Sequence, residues 1–341
     1  MTRSGKVHAP ENLAEQGDEM GLCDRRQVLA GYAGSCLLPA VTWAAQEIRV
    51  KTFTYKRVAG LPIKLDVHRA DDSRRRPVVV WIHGGALIMV SRSGINIRVK
   101  KSVLDAGYAL VSIDYRLAPE TKLPAIIEDL QDALAWVHTE GPDRFNGDTT
   151  KIVVMGGSAG GYLTLTAGFR AKPRPSALVS FWGYGDLVGA WYSQPSPHQR
   201  HQTDSSFAAA LKQVDGPPVC AAEERDGDGG LFYRYCRKHG IWPQQVSTWD
   251  PHKMPEKFYP YMPLKNLTAD YPPTLLIHGT TDTDVPHQQS VLMAEGLRKL
   301  QVEHQLISIA GGEHGLGGGD PDRVDAAYGA AMAFLRRHLA S

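Results

Sequence analysis

The chain has 341 residues, of which 43% are hydrophobic and 22% are charged, and its formal net charge is +2. This is the composition of a globular enzyme, and a chain of this length can bury a large core. The small net charge gives no reason to expect nucleic acid as a partner. The 13 histidines show no spacing typical of a metal site, so we expect neither a metal nor another cofactor.

Near the start of the chain, the paired residues Arg25 and Arg26 precede a mildly apolar stretch over residues 28–45. Glycines and a proline interrupt this stretch, which makes it unsuitable as a stable membrane span of about 20 apolar residues. The pattern is similar to a twin-arginine export signal over residues 1–45 and predicts a periplasmic or secreted protein. The alternative is an N-terminal helix of a cytoplasmic enzyme. In both cases the folded domain is predicted over residues 46–341.

Apolar runs in that domain predict eight strands, at residues 51–58, 63–69, 78–83, 109–114, 152–155, 177–182, 274–278 and 305–309. Helical patterns predict five helices, at residues 100–106, 125–138, 159–170, 288–300 and 322–339. Their alternation from the third strand onward indicates an α/β fold with a mostly parallel sheet between layers of helices. The first two strands are joined by a short turn at residues 60–62, which predicts an antiparallel hairpin at the sheet edge.

A glycine-rich loop follows the third predicted strand and reads His83-Gly84-Gly85-Ala86. Small residues leave backbone N–H groups free to point at an oxyanion, and Gly85 and Ala86 are the best donors. His83 is expected to form a local hydrogen bond that keeps the loop in shape. The alternative interpretation of this segment is a simple turn.

A serine lies in the tight turn after the fifth predicted strand, within the sequence Gly156-Gly157-Ser158-Ala159-Gly160. A G-x-S-x-G turn between a strand and a helix forces the serine into a strained conformation and presents its hydroxyl as a nucleophile. Ala159 would be the third oxyanion donor. The alternative is an ordinary glycine-rich loop, but the flanking strand and helix argue against it.

A carboxylate and an imidazole follow the last two predicted strands. Asp282 lies in the loop just past residues 274–278, and His314 lies in a flexible glycine-rich turn past residues 305–309. We interpret His314 as the base that activates Ser158 and Asp282 as the acid that orients it. His278 lies within a core strand and is expected to be satisfied there.

Residues 183–263 break the alternation of strands and helices, because proline, glycine, aromatic and charged residues are crowded together. We predict that this insertion forms a lid. Its candidates for lining a substrate pocket are Trp191, Phe232, Tyr233, Trp242, Trp249 and Tyr259. Cys220 and Cys236 could form a disulfide or remain as two buried thiols, and the sequence leaves both possibilities open.

From about residue 50 onward, the chain resembles the α/β-hydrolase superfamily, and within it bacterial carboxylesterases that carry an H-G-G oxyanion loop. The order Ser158, Asp282, His314 matches that superfamily. Residues 114–120 look like the Y-R-L-A-P-E segment of hormone-sensitive-lipase-like esterases, although the chain has Ala86 where that branch usually has a fourth glycine. Residues 282–286 instead look like the D-x-x-V-P segment of dienelactone-hydrolase and prolyl-oligopeptidase relatives.

The resemblance implies a carboxylesterase that acts on a small-molecule ester through an acyl-enzyme. The aromatic and charged residues of the insertion predict a compact, partly polar pocket that prefers short acyl or acetyl esters. The alternatives are an exopeptidase of the prolyl-oligopeptidase type and a catalytically inactive binding protein on the same scaffold. Asp282 occupies the position that the family uses for the acid. Asp284 precedes a helix start, where a carboxylate is favourable for electrostatic reasons alone. The oligomeric state stays open.

Overall fold

The structure is a computed structural model that describes residues 47–340. The predicted export signal over residues 1–45 lies outside these residues. Within the described part, no helix is long and apolar enough to cross a membrane.

Eight strands form one sheet, with bounds β1 (Ile48–Val58), β2 (Leu61–Ala70), β3 (Arg76–Ile82), β4 (Ala109–Ile113), β5 (Gly147–Gly157), β6 (Ala177–Phe181), β7 (Thr274–Gly279) and β8 (His304–Ile309). Their spatial order is β1-β2-β4-β3-β5-β6-β7-β8. β1 and β2 form the antiparallel hairpin predicted for them, and β2 also runs antiparallel to β4. The other neighbouring pairs are parallel. The mostly parallel eight-stranded sheet is therefore confirmed.

The helices are α1 (Ile97–Asp105), α2 (Leu123–Phe145), α3 (Ala159–Arg170), α4 (Ala190–Ser193), α5 (Phe207–Leu211), α6 (Gly230–His239), α7 (Trp242–Ser247), α8 (Gln288–Lys299) and α9 (Pro321–Leu339). The five predicted helices correspond to α1, α2, α3, α8 and α9. The largest difference is at α2, which continues past its predicted end at residue 138 and contains Pro142. Buried Phe145 belongs to this extension and lies against Phe53, with ring centroids 6.5 Å apart.

The core lies on both faces of the sheet, because successive side chains of a strand point to opposite faces. On β3, Val78, Val80 and Ile82 belong to a cluster with residues of α2 and α3. Val79 and Trp81 belong to a second cluster with residues of α1 and α9. The buried parallel strands place the loops at their carboxyl ends on one edge of the sheet, where such sheets carry their functional sites.

The insertion of residues 183–263 connects β6 to β7 and contains α4 to α7 together with short 3₁₀ turns. Of its six aromatic candidates, Phe232, Tyr233 and Trp242 are buried, whereas Tyr259 is exposed. Cys220 and Cys236 are buried free thiols, so they do not form a disulfide in this structure. Burial raises the pKa of Cys236 to about 12.

Candidate active site

The turn between β5 and α3 holds Ser158 in a strained backbone conformation, with φ +57° and ψ −122°. Glycines on either side make this turn possible. A Cβ on Gly160 would lie 2.1 Å from the carbonyl oxygen of Ile82, and one on Gly156 would lie 2.3 Å from that of Gly160. The Ser158 N–H donates to the Phe181 carbonyl at 3.0 Å, which ties the turn to the neighbouring strand. The local geometry is that expected of a nucleophile elbow.

Asp282 and His314 are joined directly. Asp282 Oδ2 accepts a hydrogen bond from His314 Nδ1 at 2.8 Å, and Asp282 Oδ1 accepts from the backbone N–H groups of Asp284 and Val285. Burial alone would raise the pKa of the Asp282 carboxyl, but hydrogen bonds from His278 and His314 hold it well below its usual range. Asp282 is therefore an ionised acceptor that fixes the orientation of the His314 ring.

His278 contributes more than core packing, which is all that the sequence suggested for it. Its Nε2 lies 2.9 Å from the Val285 carbonyl and 3.2 Å from Asp282 Oδ2, so this nitrogen is the donor. Its Nδ1 accepts from the Ser290 hydroxyl at 2.7 Å. His278 and His314 therefore contact the same oxygen of Asp282. The sequence carries one signal of this role, because His278 lies four positions before Asp282 across the end of β7.

The glycine-rich loop that is predicted to bind an oxyanion lies against Ser158. A Cβ on Gly84 would come within 2.9 Å of the Gly157 carbonyl oxygen and 3.3 Å of Ser158 Cβ. Gly85 and Ala86 both have positive φ, of +88° and +57°. Within residues 47–340, neither backbone N–H donates to a protein acceptor. The N–H of Ala159 begins α3 and has no partner inside the helix.

Tyr115 and Trp242 hold this loop from outside, and His83 holds it from within. His83 donates from Nδ1 to the Gly84 carbonyl at 2.9 Å and stacks on the Tyr115 ring, whose hydroxyl donates to the same carbonyl. Burial lowers the pKa of His83 to about 4, so the ring is neutral near pH 7. Trp242 of the insertion donates from Nε1 to the Ala86 carbonyl at 3.2 Å. No pattern in the sequence indicates this contact of Trp242.

Within the described residues, Ser158 and His314 are not hydrogen-bonded to each other, and the Trp182 ring lies near His314 and near Gly157, the residue before Ser158. The Trp182 ring is 6.1 Å from the His314 ring and would be 3.3 Å from a Cβ on Gly157. The Ser158 hydroxyl makes no hydrogen bond within the described part of the chain. Catalytic hydrogen bonds of hydrolases are often loose without a substrate.

Asp284 has a different environment from the one expected. α8 begins at Gln288 with His287 as its N-cap, so Asp284 is not at the helix start. Its carboxylate is buried and accepts hydrogen bonds from His201 and Tyr233 of the insertion. The Asp284 carboxylate is therefore held by these two side chains and not by a helix start, and the sequence does not indicate these contacts.

Two family models match separate parts of the chain, BD-FAE over residues 65–209 and the prolyl oligopeptidase family over residues 233–341. One curated relative is the non-reducing polyketide synthase trt4 of Aspergillus terreus, which is 29% identical over 345 residues. The match covers 85% of this chain and only 14% of the synthase.

Two solved structures are also similar. An α/β-hydrolase superfamily protein from Enterococcus faecalis has a TM-score of 0.66 and 22% identity, with 84% of this chain and 98% of that chain covered. An esterase from Pyrobaculum calidifontis has a TM-score of 0.60 and 25% identity, with 87% and 88% covered.

Proposed function

The chain belongs to the α/β-hydrolase superfamily, and from this premise we propose that it is a serine hydrolase that cleaves carboxylic esters through an acyl-enzyme. The observation that carries the proposal is the 2.8 Å hydrogen bond between Asp282 and His314 at the sheet edge where the strained Ser158 lies. The Pyrobaculum neighbour is itself an esterase, which favours an ester as the substrate.

In the proposed reaction, Ser158 Oγ attacks the ester carbonyl while His314 Nε2 takes its proton. Ionised Asp282 stabilises the imidazolium that forms, and the N–H groups of Gly85, Ala86 and Ala159 bind the oxyanion. His314 then returns the proton to the alcohol oxygen, which leaves as the neutral alcohol. Water then gives a proton to the same imidazole and attacks the acyl-enzyme. The bond between the acyl carbon and Ser158 Oγ breaks, His314 returns the proton to Ser158, and the carboxylic acid is released.

Short acyl or acetyl esters are the substrates that we propose, from the aromatic side chains of the insertion. Several of these side chains pack together, and Tyr192 and Trp242 have ring centroids 4.4 Å apart. Such rings stack on small acyl groups or sugars, whereas a long lipid chain requires a continuous aliphatic groove. We propose that residues 183–263 act as the lid that selects the substrate.

An exopeptidase of the prolyl-oligopeptidase type is the second candidate, because that family model matches residues 233–341, which contain Asp282 and His314. Hydrolysis of aminoacyl amides would favour it over an esterase.

Export stays a proposal that rests on Arg25 and Arg26. If lysine at both positions leaves export from a bacterial host unchanged, that proposal is wrong.

The proposed function is tested with Ser158→Ala, with Ser73→Ala in an exposed loop as the matched control. Wild type and Ser73→Ala should show a burst of p-nitrophenol from p-nitrophenyl acetate and covalent labelling by a fluorophosphonate. Ser158→Ala should show neither while keeping its circular dichroism spectrum. Turnover retained by Ser158→Ala would refute the assignment, and an unlabelled wild type would favour an inactive binding protein.

A further inference from the structure

The buried carboxylate of Asp284 is held by three side chains of the insertion. Asp284 Oδ1 accepts hydrogen bonds from His201 Nε2 at 2.9 Å and from the Tyr233 hydroxyl at 2.5 Å. Arg237 donates to the Asp284 backbone carbonyl at 3.1 Å, and its Nη1 lies 3.8 Å from Oδ1. The position of this carboxylate is thus set by residues 183–263 rather than by its own loop alone.

The second oxygen of the same carboxylate faces the base. Asp284 Oδ2 lies 3.7 Å from His314 Nε2, the nitrogen that exchanges a proton with Ser158 in the proposed reaction. That distance is too long for a hydrogen bond, so Asp284 does not hold the proton that has to move. It is short enough for its charge to favour the imidazolium over the neutral ring.

Asp284 keeps its charge near neutral pH. Burial raises the pKa of its carboxyl, but the hydrogen bond from His201, the nearby His314 and Arg237, and the Tyr233 hydroxyl together hold it well below its usual range. His314 therefore has a carboxylate near each of its ring nitrogens, Asp282 at Nδ1 and Asp284 at Nε2.

We propose that Asp284 is a positioning residue whose charge, fixed by the insertion, stabilises the protonated form of His314 during the reaction. The inference rests on the proposed function, because it assigns Asp284 a role through the base of that mechanism. It also gives the insertion a second role besides covering the site, since His201 and Tyr233 determine where this charge lies.

Other charged and titratable groups near His314 contribute to the same balance. Glu313 accepts a hydrogen bond from the His314 backbone N–H, and Arg200 of the insertion lies 2.9 Å from Glu313 and 3.6 Å from Asp284 Oδ2. The groups that act directly or through Asp282 and Asp284 are His201, Tyr233, Arg237 and His278. Removal of the Asp284 charge should disfavour the imidazolium, and removal of the Arg200 charge should favour it.

The test is the pH dependence of the second-order rate of fluorophosphonate labelling, which requires no knowledge of the natural ester. Asp284→Asn should move the acidic limb of this profile to lower pH by about one unit. Asp284→Glu keeps the charge, so its acidic limb should lie closer to that of the wild type than the limb of Asp284→Asn does. A folded Asp284→Asn protein with an unmoved acidic limb would show that Asp284 only holds the insertion in place and does not stabilise protonated His314.

A second variant keeps the proposal testable if Asp284→Asn fails to fold once the negative charge beside Arg237 is removed. Arg200→Gln should move the limb to higher pH by a few tenths of a unit, with Arg234→Gln on the exposed side of α6 as the control. An unmoved limb in Arg200→Gln, together with an unfolded or unshifted Asp284→Asn, contradicts the proposal. Absent labelling of wild-type Ser158 would instead contradict the proposed function itself.

Discussion

The sheet and the insertion over residues 183–263 bury their side chains in different ways. On β3, residues 78–82 are buried, are aliphatic or aromatic, and alternate between two faces. The insertion buries Arg237, His201 and Tyr233, and each of them contacts Asp284, more than 40 positions away along the chain. We therefore expect the sheet to place the candidate catalytic groups and the insertion to adjust them through specific polar contacts.

Two hydrogen bonds connect the insertion to the candidate site. Trp242 donates to the Ala86 carbonyl in the predicted oxyanion loop, and Tyr233 donates to Asp284 in the loop that contains Asp282. If the sheet places the candidate catalytic groups and the insertion only adjusts them, changes at the sheet edge should abolish the reaction or the fold. Changes in the insertion should alter rate and specificity by smaller factors.

The largest effect is expected at the acid. Asp282→Asn should lower kcat by about 10⁴-fold, because an amide no longer stabilises the imidazolium or selects the correct tautomer of His314. Steady-state and burst kinetics on p-nitrophenyl acetate would measure it. The control is Asp270→Asn, an exposed position before the amino end of β7, which should leave kcat unchanged. A loss of less than 10-fold at position 282 would move the role of the acid elsewhere.

The next effect concerns the backbone of the nucleophile turn. Gly160→Ala should lower the free energy of unfolding by about 3 kcal/mol, because its Cβ would lie 2.1 Å from the Ile82 carbonyl oxygen. Gly329→Ala, at an exposed position of α9 with no atom within 4 Å of the added Cβ, should instead stabilise by about 1 kcal/mol. Urea unfolding compares the two. Equal values would show that the turn has room for a side chain.

The sheet was predictable because burial on both faces leaves continuous apolar runs, and glycines mark the turns at the strand ends. Ser158, Asp282 and His314 could be chosen for the same reason, since each follows a legible strand. The contacts of Trp242 and Asp284 could not be predicted, and for His278 the sequence carried only its spacing of four positions from Asp282 as a signal. Each depends on a contact to a specific atom, and neither apolar periodicity nor loop composition encodes which distant residue will supply a buried donor.

A pH-dependent effect separates the two regions further. His68 on β2 is buried without a hydrogen-bond partner in the described part of the chain, whereas both ring nitrogens of His201 in the insertion have partners. Burial, aided by the charge of Lys100, lowers the pKa of His68 from 6.5 to about 4. Between these values the unfolded chain binds more protons, so stability falls as the pH falls through this window.

His68→Gln should therefore reduce the loss of stability between about pH 7 and about pH 4.5 by about 2 kcal/mol. Urea unfolding at the two pH values measures this slope. His198→Gln changes an exposed histidine of the insertion and should leave the slope as in the wild type. If both variants keep the wild-type slope, the acid sensitivity of the fold arises elsewhere.

The smallest effect tests whether the insertion supports the oxyanion loop. Trp242→Phe keeps a buried ring but removes the donor to the Ala86 carbonyl, a contribution of about 1 kcal/mol, so kcat should fall by about 5-fold to 10-fold with little change in KM. Trp249→Phe is the control, because Trp249 packs on Phe258 without contacting the loop. Equal kcat values for both tryptophan variants would mean that the insertion covers the site without shaping it.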